Sequence, residues 1–281
     1  MKIEAKRVQS GLQRIPQIKN TLAIASGKGG VGKSTTAVNL ALALQLEGAR
    51  VGLLDADIYG PNQPTMLGVC MRPDETDNKK LKPIVSHGLP SMSIAYLIGP
   101  DTPMIWRGPM VSKALQQLIY DTEWPELDFL IIDLPPGTGD VQLTLAQRIP
   151  LTAAVIVTTP QEIACQDARK AIAMFEKVNI PMLGIIENMK MHICGQCGHQ
   201  ENLFGAGGGQ LMADKYHIPY LAGIPFVTEI RDLADKGIPI VAKDPDGVVA
   251  QLYRAAAIKT VQQLNLQSKD YANKFGAIKV E

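Results

Sequence analysis

The chain of 281 residues is poor in cysteine, with only Cys70, Cys165, Cys194 and Cys197. Four are too few for a disulfide scaffold of this length and suit a reducing compartment, so a cytoplasmic location is expected. Neither charge is in excess. Twenty-eight Lys and Arg against 27 Asp and Glu leave a net charge of +1. Such a balance exerts no bulk pull on nucleic acid or a membrane surface, and neither is expected as a partner. No run of about 18 apolar residues occurs, so nothing reads as a membrane span. Met1 to Asn20 is polar, mixed in charge and without an apolar centre, which excludes a secretory signal in that stretch. No internal repeat and no compositional shift marks a second domain.

What is present is 46% hydrophobic residues, enough for a sizeable core, arranged in short apolar runs that alternate with helical patterns. Strands are expected over 21–26, 50–54, 128–133, 153–158, 181–187 and 220–224. Helices are expected from Ala37 to Leu44, Val111 to Tyr120, Asp167 to Val178 and Val248 to Leu264. Residues 70–98 hold Pro, Asp, Asn and Lys between short β-like runs and read as a hairpin insertion at a sheet edge. The alternation predicts an α/β fold, a doubly wound and mostly parallel sheet flanked by helices. The organisation expected is an N-terminal arm over 1–20, one domain over 21–265 and a polar tail over 266–281. Ligands of such sheets bind at the carboxyl ends of the strands, so the loops after residues 26, 54, 132, 158 and 186 should share one rim.

The first of these loops is the most informative stretch. Gly27-Lys28-Gly29-Gly30-Val31-Gly32-Lys33-Ser34-Thr35 fits G-x-x-x-x-G-K-[ST] between a strand and a helix. Strand, glycine loop and helix aim backbone N–H groups and a helix N-terminus at a phosphate chain. Lys33 should reach the β- and γ-phosphates of ATP, and the Ser34 hydroxyl should bind Mg²⁺. Three acids end neighbouring strands. Asp133 suits a holder of magnesium-bound water, Asp55 the same task, and Asp57 the orientation of the attacking water. A second informative stretch is Met191-His192-Ile193-Cys194-Gly195-Gln196-Cys197-Gly198-His199. Two cysteines at this spacing can present both thiolates to one metal, which is half of a four-thiolate site. His192 and His199 could complete a zinc site, a redox dithiol is a further option, and a twofold axis would double the thiolates to four. Cys70 and Cys165 read as small buried hydrophobes.

Lys28 is an addition to the ordinary loop. Lys-Gly-Gly-Val-Gly-Lys-Ser resembles the deviant phosphate loop of the MinD, ParA, nitrogenase iron protein and Mrp group. In that group the early lysine crosses a dimer interface to the partner's nucleotide, so the resemblance implies a homodimer. The match narrows with Asp55-Ala-Asp-Ile-Tyr-Gly-Pro61, Trp106-Arg-Gly-Pro109, Asp133-Leu-Pro-Pro-Gly-Thr-Gly-Asp140, Cys194-x-x-Cys197-Gly-His199 and Phe204-Gly-x-Gly-Gly-Gly209. From about residue 20 to about 260 the chain is similar to the Mrp (ApbC) family of ATP-binding iron–sulfur cluster carriers. The resemblance implies weak ATP hydrolysis coupled to cluster loading or transfer. It also implies a [4Fe-4S] cluster bridged by Cys194 and Cys197 of two subunits, with apo iron–sulfur proteins as recipients. By the same resemblance Asn188 is assigned to adenine, and Pro225 packs on the base. Many bacterial members carry an additional small N-terminal domain where this chain has about twenty residues. Eukaryotic relatives have an N-terminal four-cysteine cluster, and no cysteine precedes Cys70 here. The alternatives are a MinD- or ParA-like positioning ATPase, which would leave Cys194 and Cys197 without a task, and a zinc-stabilised regulatory ATPase.

Overall fold

Apolar runs flanked by polar breaks become strands buried on both faces. In the computed structural model, which describes residues 3–98 and 108–269, β1 (Ile18–Ala25) passes through the glycine loop into α1 (Lys33–Leu46). β2 (Val51–Asp55), the one-turn α2 (Gln63–Met66) and the hairpin of β3 (Ile84–Ser86) and β4 (Leu89–Ser93) follow. Then come α3 (Gly108–Tyr120), β5 (Leu127–Asp133), α4 (Asp140–Arg148), β6 (Ala153–Thr158), α5 (Glu162–Lys177) and β7 (Met182–Glu187). The last part holds a second hairpin of β8 (His192–Ile193) and β9 (Gln200–Glu201), then α6 (Gly208–Tyr216), β10 (Tyr220–Gly223), α7 (Thr228–Ala234), α8 (Ile240–Lys243) and α9 (Val248–Asn265).

The main sheet runs β10-β7-β6-β1-β5-β2-β4-β3, and every neighbouring pair is parallel except β3 with β4. This is the doubly wound, mostly parallel sheet that the alternation predicted, with the expected hairpin at one edge. Neighbouring residues along each strand face opposite cores. Leu22, Ile24, Leu53, Phe129 and Ile131 pack with α1, α8 and α9. Ala23, Leu54, Leu130 and Ile132 pack with α3, α4 and α5. Register fixes the rim: Asp55 pairs with Asp133 across β2 and β5, and Ile24 pairs with Asp133 across β1 and β5. Two carboxylates are thus brought level with the end of β1, where the glycine loop begins.

β1 starts at Ile18, inside the stretch expected as an arm. Its polar opening hides it, because Lys19 pairs with Asp128 at 2.6 Å and the Asn20 side chain accepts the Lys6 N–H at 3.0 Å. The arm lies along the chain after α9: Lys6 and Lys269 form an isolated bridge, and Lys269 reaches Glu4 at 2.8 Å. Trp106 and Arg107 of the Trp-Arg-Gly-Pro motif, and residues 270–281 of the polar tail, lie outside the described residues. Among the described residues, no helix is long and apolar enough to cross a membrane.

Candidate functional site

The chain leaves β1 at Ser26, whose hydroxyl donates to the Lys28 carbonyl at 2.9 Å. Six residues after Ser26, Gly32 adopts φ +79°, and a Cβ there would lie 2.0 Å from Asn188 Nδ2. The left-handed backbone and the close approach both require glycine. α1 starts on the next residue, so its first unpaired N–H groups face the loop's concavity. A cavity of about 450 Å³ lies over the loop. Lys28, Gly29, Gly30, Gly32, Lys33, Ser34 and Thr35 line one side, and Asp57, Tyr59 and Pro136 line the other. Gly27 lies against the backbone of Asp167, and Val31 is buried.

Behind the cavity the acids and Lys33 form one network. Lys33 Nζ lies 2.5 Å from Asp133 Oδ1 and 3.7 Å from Asp57 Oδ2. Asp133 and Asp55 are both fully buried. Asp55 accepts the Asp57 N–H at 3.1 Å through Oδ1, and the Gln63 N–H at 3.1 Å and the Ser93 hydroxyl at 3.2 Å through Oδ2. Burial, and then the Asp133 charge, push the Asp55 carboxyl up to about 8. Burial also raises Asp57, against the opposing pull of Lys33. Of the residues expected around Mg²⁺, Ser34 opens onto the cavity, as does Asp57, expected to orient the attacking water, while Asp133 and Asp55 stand behind them.

Neither residue expected around adenine lines the cavity over the loop. Asn188 Nδ2 donates to the Val31 carbonyl at 2.9 Å, so its amide braces the phosphate loop. Pro225 lines a separate cavity of about 430 Å³ together with Ile193, Gly195, Val227 and Val248. From Asn188 the chain runs directly into the cysteine hairpin. The Lys190 N–H donates to Ile224 and the Phe226 N–H to Met191, which fastens this lead to the end of β10. Within the hairpin the Cys194 N–H donates to His199 and the Gly198 N–H to Cys194, both at 2.9 Å. Cys194 is partly exposed and Cys197 exposed. The N–H groups of Cys197 and Gln196, with the Cys197 thiol, hold the Cys194 thiol below its ordinary range. His192 meets Glu201 at 3.2 Å and its ring lies beside Phe226. Among the described residues, no three His, Cys, Asp or Glu side chains gather to hold a metal ion. Cys165 is buried as expected, and Cys70 is exposed, contrary to its reading as a buried hydrophobe.

One residue of the network escaped the sequence reading. Gln63 is 1% exposed and donates through Nε2 to the Ser34 carbonyl at 3.0 Å and to Asp133 Oδ2 at 2.9 Å. In Gly-Pro-Asn-Gln-Pro it carries the signature of a solvated turn, and no pattern distinguishes it. Glu187, fully buried at the end of β7, was likewise unassigned. It accepts the Gly209 N–H at 2.7 Å and the Tyr220 hydroxyl at 2.9 Å, which seats α6 beside the cysteine lead.

Residues 17–261 match the family described as ParA, NUBPL iron-transfer P-loop NTPase. The chain belongs to this family. It is 56% identical over 253 residues to an iron-sulfur cluster carrier protein of Salmonella typhimurium, covering 90% of this chain and 69% of the relative. A carrier protein of the same description from Pseudomonas fragi is 55% identical over 258 residues, covering 91% and 90%. Among solved structures, a nucleotide-binding protein from Archaeoglobus fulgidus in complex with ADP superposes with a TM-score of 0.71. It is 38% identical over 80% of this chain and 88% of that one. The cell division ATPase MinD of Pyrococcus furiosus superposes at 0.62 with 24% identity, over 86% and 98%, and shares the fold.

Proposed function

We propose that this protein is an ATP-binding iron–sulfur cluster carrier. It holds a [4Fe-4S] cluster between two copies of the chain and passes it to apo-proteins, hydrolysing ATP slowly as it does so. One observation carries the reading: the paired thiols of Cys194 and Cys197 stand on a hairpin whose lead begins at Asn188, the residue that braces the phosphate loop. The family and the cluster carriers among the relatives support it. Two thiols are half of what a cubane cluster needs, and a twofold axis supplies the other half.

The phosphate chain of ATP enters the cavity over the loop, where α1 N–H groups and Lys33 meet its charge. Mg²⁺ fits this donor set. The Ser34 hydroxyl and Asp57 open onto the cavity, Asp133 stands behind, and Gln63 Oε1 is a buried acceptor with no hydrogen-bond partner. When bound, the cation would offset phosphate charge. Asp57, lining the cavity, is the group that would orient the attacking water, and Lys28, also lining it, is the lysine that would reach a partner's nucleotide. Asn188, held beside the phosphate loop, and Pro225 are the residues assigned to the adenine.

Anaerobic reconstitution tests the reading. About four iron and four sulfide per dimer are expected from the ligand count. Cys194→Ala and Cys197→Ala should each lose the cluster and keep ATP binding, whereas Cys70→Ala and Cys165→Ala should keep both. A complete cluster on a strict monomer, or one that survives in the double variant of Cys194 and Cys197, overturns the bridging arrangement.

A further inference from the structure

Gln63 opens α2, whose single turn follows the Gly-Pro-Asn stretch after Asp57. Three contacts tie it to three separate parts of the nucleotide site. Its backbone N–H donates to Asp55 Oδ2 at 3.1 Å, and its Nε2 donates to the Ser34 carbonyl at 3.0 Å and to Asp133 Oδ2 at 2.9 Å. Both side-chain acceptors lack hydrogens, so only the nitrogen of the carboxamide can face them, and the orientation of the amide is settled by chemistry. Both of its N–H groups are then used. Oε1 remains, buried and without a partner. A buried acceptor left unpaired is costly, and proteins tolerate it chiefly where a water, an ion or a catalytic task supplies the missing donor.

The neutral charge of this bridge also matters. Asp55, Asp57 and Asp133 already surround one lysine. Another carboxylate would add repulsion, whereas a carboxamide can link Asp133 to the phosphate loop by donating to both.

We propose that Gln63 is a positioning residue of the magnesium–nucleotide site: from behind the cavity its amide nitrogen holds Asp133 and the Ser34 backbone in register, which sets the Ser34 hydroxyl and the Asp133 carboxylate for the cation. This role rests on the reading of the cavity as a Mg-ATP site. It makes Gln63 a determinant of how strongly nucleotide binding depends on Mg²⁺, and the effect of Gln63 on nucleotide alone is small, because no Gln63 atom lines the phosphate cavity.

The test measures affinity for a fluorescent ATP analogue with EDTA and across a Mg²⁺ titration, alongside kcat and KM for ATP. Wild-type protein should bind more tightly with Mg²⁺. In Gln63→Leu, the Mg²⁺ concentration for half-maximal tightening should rise about tenfold, the loss expected for one hydrogen bond in a charged site. Affinity in EDTA should stay within about twofold, and kcat should fall more than KM changes, as for an interaction realised in the reacting complex. Gln63→Asn, whose shorter side chain cannot span both acceptors, should behave the same way and covers the case in which Gln63→Leu folds poorly. If both variants keep the wild-type Mg²⁺ requirement and kcat, the role is overturned. It is also overturned if affinity falls equally with and without Mg²⁺, the signature of a merely structural contact. A wild-type protein that binds no nucleotide, or binds it without regard to Mg²⁺, would instead bring down the Mg-ATP reading of the cavity, and the role with it.

Discussion

Lys33 Nζ lies between the Asp133 and Asp57 carboxylates, at 2.5 and 3.7 Å, with its side chain 5% exposed. A cation so placed serves two ends, balancing the buried acids and meeting the phosphates. Lys33→Ala should therefore abolish ATP binding by calorimetry. It should also destabilise the fold by about 3–5 kcal/mol in urea unfolding, because the carboxylates lose their counter-ion. Asp55 makes a separate prediction about pH. Its carboxyl is lifted from 3.8 to about 8, so the folded chain keeps a proton there that the unfolded chain has lost. Stability from this group is complete below about pH 4 and is lost as pH rises toward about 8. Asp55→Asn removes the titration, and urea unfolding across that window should show a shallower decline than wild type. At this scale, the sequence revealed the residues whose chemistry is tied to a motif, such as Lys33 and Ser34. It could not reveal that Asp55 and Asp133 are shut behind the cavity, because burial of a strand-end carboxylate depends on which loop folds over it. Gln63 was illegible for the same reason.

At the scale of elements, α6 explains the glycines before it. Gly208 opens this helix so close to the end of β6 that a Cβ would meet the Pro160 carbonyl oxygen at 2.3 Å and Cys165 Sγ at 2.9 Å. The obstacle is backbone, which cannot swing aside. Gly208→Ala should cost about 1–3 kcal/mol, the usual penalty of overpacking, measured as a lowered melting temperature. Because α6 also caps Glu187, one residue before Asn188, the same variant should loosen the cysteine hairpin and slow cluster loading in reconstitution, with Mg-ATP affinity retained. The order of strands and their parallel sense were legible from alternating apolar runs. The start of β1 was not, since Lys19 and Asn20 interrupt the apolar run, their side chains taken up by Asp128 and by the Lys6 N–H. α5 begins at Glu162, five residues before the expected Asp167, because Ala164 and Cys165 already bury against the sheet in a stretch that carries no capping signal. α4, α7 and α8 are short or polar, held by tertiary packing more than by their own periodicity.

For the whole molecule, the two centres point to the same symmetry by independent arguments. Lys28 lines the cavity on the loop before α1, and the cysteine hairpin offers two thiols where a cluster needs four. If Lys28 works on a partner's nucleotide while Asp57 works on its own, each site draws one residue from each chain. Lys28→Ala should then bind ATP at near wild-type affinity and hydrolyse it poorly, and Asp57→Ala should do the same. Mixing the two variants supplies the sharper measurement. In a heterodimer, one site has lost both residues and the other has lost neither, so the mixture should regain activity where each parent has almost none. With random exchange about half of the dimers are mixed, each with one working site, so activity should recover to about a quarter of wild type. Native mass spectrometry of differently tagged chains establishes that exchange has occurred. Demonstrated heterodimers without recovered hydrolysis would place Lys28 and Asp57 in the same site and remove the trans role of Lys28. The cluster would then be the sole remaining reason for two copies, and loss of the dimer in the Cys194→Ala/Cys197→Ala double variant would report that directly by light scattering.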